Sequence, residues 1–190
     1  MGELLGYNIS EKYKCEWVAP ERTGSRKVAE ILTFFGFTNN NKPVYYYNNH
    51  FHSHYGPSEK YKDYTLICNA RNPYARTYSI FKNLYPQSLD KSKEAFKQYL
   101  FEYMDKDITK DMIIKPIFSK KPDHIIRLEH IDEDLMKLPF ILDVLTEPKL
   151  KMLTQHGKPL ENWEQYYDQE IKEFVYSLTK HHFDEWGYEK

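Results

Sequence analysis

The apolar run Tyr64–Ala70 (YTLICNA) and the Arg71-Asn72-Pro73 triplet that follows it decide the fold class of this chain. The run is nearly continuous, which is typical of a strand covered on both faces of a sheet. Proline lacks an N–H group and is favoured at the first position of a helix. The stretch therefore predicts a buried strand that turns directly into a helix over Tyr74–Leu84.

Further strand and helix patterns lie before and after this predicted strand and helix. Tyr13–Ala19 is a short aromatic and aliphatic run ending at Pro20, and Asp123–Glu129 predicts a further strand. Residues 25–36 predict an amphipathic helix, because their apolar side chains recur at helical spacing. Val44–Asn48 is also strand-prone. Alternating strands and helices favour a single three-layer α/β domain over residues 1–190, with a short, mainly parallel sheet of four to five strands.

The second half of the chain is predicted to be largely helical. Apolar residues from Phe96 to Met104 form one helical face, for which Asp90 is the predicted N-cap. Asp168 is the predicted N-cap of a long last helix. Its apolar stripe consists of Ile171, Phe174, Val175, Leu178 and His182.

Composition excludes several classes of protein. The 27 Lys and Arg residues nearly balance the 28 Asp and Glu residues, and a net charge of −1 argues against a generally basic nucleic-acid binder. No apolar run reaches the ~18 residues of a membrane span, and no signal peptide is visible at the N-terminus. We therefore expect a cytoplasmic protein. The 17 Tyr and 11 Phe residues predict a ring-rich core, and Cys15 and Cys68 are expected to be reduced core thiols.

The first candidate site is the turn after Tyr13–Ala19. A strand-to-helix turn presents backbone N–H groups and the positive end of a helix, which together suit a phosphate. Gly24 allows close approach, and the hydroxyls of Thr23 and Ser25 and the guanidinium groups of Arg22 and Arg26 are further donors. An ordinary capped helix start with exposed arginines remains the alternative. The turn lacks the second glycine and the Lys-Ser/Thr pair of a Walker A loop.

The second candidate site is the turn after Tyr64–Ala70. Arg71 falls at the carboxyl end of the strand, and Ser79 lies about two turns into the helix. An arginine and a hydroxyl in these places suit a second phosphate. A solvent-facing arginine and an ordinary helical serine are the alternative interpretation.

Together the two turns resemble the nucleotide signatures of sulfotransferases that use 3′-phosphoadenosine-5′-phosphosulfate (PAPS). In that family a P-[KR]-[ST]-[GA]-[ST] loop holds the 5′-phosphosulfate, and an R-[DN]-P-x-x-R-x-x-S segment holds the 3′-phosphate. Residues 71–79 (RNPYARTYS) match the second pattern at every position. Residues 22–25 (RTGS) match the first, although Glu21 separates them from Pro20 and Arg26 stands where threonine is frequent. The C-terminal residues 166–188 also look like the end of carbohydrate-type members.

The resemblance implies a P-loop-like domain and assigns roles to the matching residues. Arg22, Thr23, Gly24, Ser25 and Arg26 would bind the phosphosulfate, and Arg22 would also act in catalysis by stabilising charge on the leaving oxygen. Arg71 and Ser79 would bind the 3′-phosphate, and a late basic loop containing Lys158 would lie close to it.

Three histidines lie between the two turns, at His50, His52 and His54. Read alone they suit a metal site, surface or structural histidines, or a general base, since imidazole titrates near neutral pH. The resemblance implies a base about twenty residues before the 3′-phosphate arginine. His50 is therefore the first choice, His52 the second and His54 the third.

The sequence thus predicts an enzyme that transfers the sulfuryl group of PAPS to a hydroxyl of a carbohydrate or small metabolite. We expect PAP as the product, no metal, and neither nucleic acid nor membrane as partner. Two alternatives remain: a P-loop kinase-like phosphotransferase, and a non-catalytic module that binds PAP or PAPS.

Overall fold

The computed structural model describes residues 8–39, 42–43, 59–84, 90–104, 113, 121–146, 149 and 162–190. The chain divides into two compact units. Residues 1–70 and 117–159 form the first, and residues 71–116 and 160–190 form the second. The first unit contains the sheet, whereas the described elements of the second are helices and turns.

The chain is an α/β protein with a small mixed sheet, whose strand order is β4-β3-β1-β2-β5-β6. The strands are β1 (Asn8–Ser10), β2 (Cys15–Val18), β3 (Thr38–Asn39), β4 (Lys42–Pro43), β5 (Thr65–Ala70) and β6 (His124–Arg127). β2, β5 and β6 are parallel, whereas β1, β3 and β4 join through antiparallel pairs. The prediction of a mainly parallel sheet is therefore correct only for the three strands on the β6 side. The predicted strand at Val44–Asn48 lies outside the described residues.

The helices follow the predicted periodicity closely. Those described over more than one residue are α1 (Ser25–Thr33), α2 (Pro73–Leu84), α3 (Lys93–Gln98), α4 (Ile131–Leu135) and α5 (Gln169–Trp186), and α3 continues as a π-helical turn over Tyr99–Tyr103. Asp168 caps α5 as predicted, with its Oδ1 accepting a hydrogen bond from the Ile171 N–H at 3.0 Å. The prediction for Asp90 is wrong, because Ser92 is the N-cap of α3 and Asp90 accepts hydrogen bonds from it. Within the described ranges, no helix has the length and apolar character needed to cross a membrane.

The core of the first unit lies between α1, the central strands and residues 131–145. α1 buries Val28, Ala29, Ile31 and Leu32 against strand residues that include Trp17, Ile67 and Ile126. Cys15 and Cys68 are buried thiols without a disulfide, as predicted. This packing fixes α1, and therefore the loop that precedes it, against the sheet.

The second unit is held together largely by aromatic rings, as the composition predicts. The buried rings of its main core cluster are Tyr74, Tyr78, Phe81, Phe96, Tyr99, Tyr167 and Phe183. Tyr78 meets Phe96 edge-on at a centroid distance of 5.4 Å, and the Tyr167 hydroxyl donates to the Tyr74 carbonyl at 2.8 Å. Edge-to-face pairs of this kind add about 0.5–1.5 kcal/mol beyond area burial, so they fix α2 relative to α3 and α5.

Candidate functional site

The loop between β2 and α1 adopts a left-handed backbone at its last position, which favours glycine. Gly24 is the N-cap of α1 and is left-handed, with φ of +82°. A Cβ atom at this position would lie 2.4 Å from Leu128 Cδ1. Arg22 is also left-handed, with φ of +63°, a conformation that costs a non-glycine residue roughly 1–2 kcal/mol. The loop is therefore shaped by tertiary packing against local preference.

A buried hydrogen-bond network holds this loop to the sheet. The Trp17 Nε1–H donates to Asn69 Oδ1 at 2.8 Å, and Asn69 Nδ2 donates to the Thr23 carbonyl at 3.4 Å. The Thr23 hydroxyl donates to the Pro20 carbonyl at 2.6 Å. The proton of that hydroxyl is therefore used in a hydrogen bond within the loop, where it stabilises the turn. Sequence reasoning overlooked Asn69, although an amide within an otherwise apolar strand signals a buried polar network.

The N-terminus of α1 has no side-chain cap, and its first turn contains no acidic residue. Lys27 N–H donates to the Gly24 carbonyl at 3.1 Å. Among the described residues, the N–H groups of Ser25 and Arg26 and the Ser25 hydroxyl have no hydrogen-bond partner. These donors lie at the positive end of the helix dipole, where an anion is stabilised.

The charges of the loop favour the same kind of ligand. Arg26 is exposed and Arg22 is half-buried, whereas the one carboxylate of the loop, on Glu21, is only 6% exposed. Lys27 forms an ion pair with Glu30 at 3.5 Å. The solvent-accessible charge at the helix start is therefore positive.

The second turn begins where β5 ends, and its helix has a different N-terminus. Asn72 Oδ1 accepts hydrogen bonds from the N–H groups of Tyr74 at 2.9 Å and Ala75 at 3.3 Å. Arg76 N–H donates to the Asn72 carbonyl at 2.8 Å, and Pro73 has no N–H. The backbone donors of the first turn of α2 are therefore occupied within the helix. An anion at this turn must be held by side chains.

The three side chains of interest in α2 and its turn are all buried. Arg71, Arg76 and Ser79 are 6%, 2% and 1% exposed. The Arg76 guanidinium carbon lies 5.6 Å from the centroid of the Trp186 ring, which in turn stacks on His182 at 4.4 Å. The long last helix thus contributes an aromatic contact to the second arginine of the motif. Sequence reasoning missed this role, because Trp186 lies 110 residues farther along the chain than Arg76.

A buried ion pair positions the turn that packs on Gly24. Arg127, the last residue of β6, donates to both carboxylate oxygens of Asp134, each at 2.8 Å, and Lys137 donates to Oδ1 at 2.7 Å. Burial raises the pKa of Asp134, but the hydrogen bonds from Arg127 and Lys137 outweigh it and lower the pKa to about 2. This clamp spans Leu128, whose side chain fills the space over Gly24.

The predicted histidines His50, His52 and His54, and the predicted basic residue Lys158, lie outside the described residues. Within the ranges that the structure describes, no group of three or more His, Cys, Asp or Glu side chains is arranged to hold a metal ion. The described candidate residues therefore belong to two turns, and each turn is fixed within its own unit.

Comparison of the chain with known protein families, with curated proteins and with solved structures finds no match. The functional argument consequently rests on the residues of the two turns and on their geometry.

Proposed function

We propose that this protein is a PAPS-dependent sulfotransferase with a P-loop-like nucleotide site, acting on a hydroxyl of a carbohydrate or small metabolite. The observation that carries the proposal is the uncapped start of α1. Gly24 turns the chain there, and the N–H groups of Ser25 and Arg26 have no partner among the described residues. The nine-residue match at residues 71–79 supplies the second half of the argument.

In this proposal each turn supplies the groups that bind one phosphate of PAPS. The N–H groups of Ser25 and Arg26, the Ser25 hydroxyl and Arg22 bind the 5′-phosphosulfate. Arg71 and Ser79 bind the 3′-phosphate, which ATP lacks. A guanidinium group is suited to the latter task because its planar fork matches phosphate oxygens.

The chemical step is an in-line displacement at sulfur. The acceptor oxygen forms a bond to sulfur while the bond from sulfur to the bridging oxygen breaks, and PAP leaves with that oxygen. Negative charge grows on the leaving oxygen, and the donors at the start of α1 stabilise it, by the electrostatic logic of phosphoryl transfer. His50 or His52 accepts the proton of the acceptor hydroxyl. The role of these histidines rests on the sequence alone.

Thermal unfolding tests the nucleotide assignment. A ligand present at 100 times its Kd stabilises the native state by about 2.7 kcal/mol, which raises the Tm of a chain of this size by roughly 5–10 °C. We expect PAP to produce such a shift, and ATP–Mg²⁺ and adenosine 5′-phosphate to produce much smaller ones. Equal shifts for PAP and ATP–Mg²⁺ would instead support the kinase-like alternative.

Conservative variants separate the two phosphate sites. Arg71→Lys keeps the charge but loses the planar fork, so the preference for PAP over adenosine 5′-phosphate should fall. Ser25→Ala should weaken both nucleotides alike. Lys180→Ala is the matched control, since Lys180 is an exposed cation on α5. An unchanged preference in Arg71→Lys and Ser79→Ala would remove these residues from the 3′-phosphate site.

Turnover is tested by PAP release from PAPS in the presence of a panel of sugars and alcohols. We expect His50→Ala to reduce the rate by roughly 10²–10⁴-fold with PAP affinity retained. The same loss in His52→Ala alone would transfer the base to His52. PAP binding without release across the panel would support the non-catalytic module.

A further inference from the structure

The second unit contains a pocket of about 460 Å³ that borders the second turn through Asn72 but includes neither Arg71 nor Ser79. It lies beside α5, and its size falls in the usual range for small-molecule sites. The lining residues are Asn72, Tyr74, Trp163, Gln169, Lys172, Glu189 and Lys190.

The two ends of α5 shape the pocket. Gln169 and Lys172 belong to its first turn, whereas Glu189 and Lys190 follow its C-cap. Gly187, left-handed with φ of +71°, ends the helix. The chain then runs back alongside the helix, so that Lys190 Nζ lies 4.8 Å from the centroid of the Tyr176 ring.

One wall of the pocket is a braced aromatic platform. The rings of Trp163 and Tyr74 are stacked, with centroids 5.8 Å apart and an interplanar angle of 26°. Tyr167 meets both rings edge-on, at 5.5 Å and 5.2 Å. Trp163 is half-buried, while Tyr74 and Tyr167 are buried behind it. The indole is therefore held in one orientation without being fully covered.

The polar groups of the pocket offer both donors and acceptors. Gln169 Nε2 donates to Glu173 Oε1 at 2.7 Å. The side-chain carbonyl oxygen of Gln169 is therefore an acceptor that the pocket offers to a ligand. Lys172 and Lys190 are cations and Glu189 is an anion. Among the described residues, neither Lys172 nor Glu189 forms an ion pair.

We propose that this pocket binds the ring of a neutral sugar. A sugar hydroxyl both donates and accepts, so one ring satisfies Glu189, Lys172 and Gln169 together while its C–H face lies on the indole. Because both cations and an anion line the pocket, a charged ring meets an attraction and a repulsion together, whereas a neutral ring meets only hydrogen-bond partners. This inference goes beyond the proposed sulfotransfer and does not depend on it, because it involves neither the start of α1 nor Arg71 and Ser79.

Saturation-transfer NMR with methyl β-galactoside, methyl α-glucoside and N-acetylglucosamine, each titrated to roughly 100 mM, tests the proposal on the full chain. Glucuronate, glucosamine and L-tyrosine are the charged and zwitterionic comparison ligands. We expect saturable binding of at least one neutral sugar. Trp163→Phe should weaken the affinity for that sugar up to tenfold, the scale of one aromatic contact. Glu189→Gln should weaken this affinity more than Trp163→Phe does.

Lys180→Gln is the control, because Lys180 lies on α5 outside the pocket. Urea unfolding of the same variants detects loss of folding, and PAP titrations report separately on the proposed function. The proposal is overturned if no neutral sugar binds, if glucuronate or L-tyrosine binds more tightly than every neutral sugar, or if Trp163→Phe and Lys180→Gln have equal effects. If a neutral sugar binds and PAP does not, the assignment of the pocket stands and the sulfotransferase proposal is wrong.

Discussion

The two strand-to-helix turns look alike in sequence, but their backbones are satisfied in different ways. α2 is capped by its own flanking residue, because Asn72 Oδ1 accepts two N–H groups of the first turn. α1 has no such cap, and its Gly24 is fixed by residues distant in sequence, Asn69 through the loop and Leu128 through packing.

This difference assigns different work to the two turns. An uncapped helix start offers unpaired backbone N–H groups to an anion. Those unpaired groups lower the stability of the protein unless tertiary contacts fix the loop in this conformation. A capped start is stable by itself and leaves binding to side chains such as Arg71. We therefore expect backbone changes at the start of α1 to weaken ligand binding, whereas removal of the cap of α2 should lower stability with little effect on binding.

The largest effect is expected from Gly24→Ala. The left-handed backbone costs about 1–2 kcal/mol for a residue with a Cβ atom. The added Cβ atom would also lie 2.4 Å from Leu128 Cδ1, so the Leu128 side chain and the loop must adjust to each other. PAP binding should weaken, because strain in the loop displaces the backbone donors of Ser25 and Arg26. Urea unfolding and PAP titration measure the two effects.

Gly36→Ala is the control for this prediction. Gly36 has φ of +71° but nothing within 4 Å of an added Cβ atom, so only the conformational cost should appear and PAP affinity should not change. The double variant Gly24→Ala, Leu128→Ala should regain part of the affinity. Equal losses in Gly24→Ala and Gly36→Ala would show that the loop does not depend on Leu128.

The same contrast explains what the sequence predicts. The start of α2 is encoded locally, since Pro73 lies directly before the predicted first residue of the helix, and the alternation of strands and helices predicts the α/β class. β1, β3 and β4 contain two or three residues each, too few for a periodic pattern. The antiparallel side of the sheet therefore could not be predicted.

The site shows the same limit. Gly24 and its flanking donors are visible in the sequence, but Leu128 and Asn69 reach the loop only through the fold. The acidic run Asp132-Glu133-Asp134 is most simply interpreted as a solvated helix start. That interpretation is wrong for Asp134, which is 3% exposed. Its partner Arg127 lies seven residues earlier, and the turn that joins them cannot be inferred from charge spacing.

The second effect in size concerns the ion pair between Arg127 and Asp134, which precedes and follows Leu128 in the chain. The pKa of Asp134 falls from 3.8 to about 2 on folding, so the carboxylate contributes stability above pH ~4 that is lost as the pH falls through about 2. A shift of this size corresponds to about 2 kcal/mol. Urea unfolding between pH 2 and 5 should show a shallower loss of stability in Asp134→Asn than in the native chain.

Asp132→Asn is the matched control, because Asp132 lies in the same helix and forms no ion pair with a described residue. Its pH profile should follow that of the native chain. Asp134→Asn should also weaken PAP, since Leu128 is then less firmly held over Gly24. A native pH profile in Asp134→Asn would mean that the clamp does not form in solution.

The smallest effect is expected at the capped turn. Asn72→Ala removes the acceptor for the Tyr74 and Ala75 N–H groups and should cost about 1 kcal/mol, the usual value of an N-cap. Asn72→Asp keeps an acceptor and should cost little. Because α2 offers no backbone donors to the nucleotide, Asn72→Ala should lower the free energy of unfolding while changing PAP affinity less than threefold. If PAP affinity instead falls as far as in Gly24→Ala, both turns bind through their backbones, and the contrast between them does not hold.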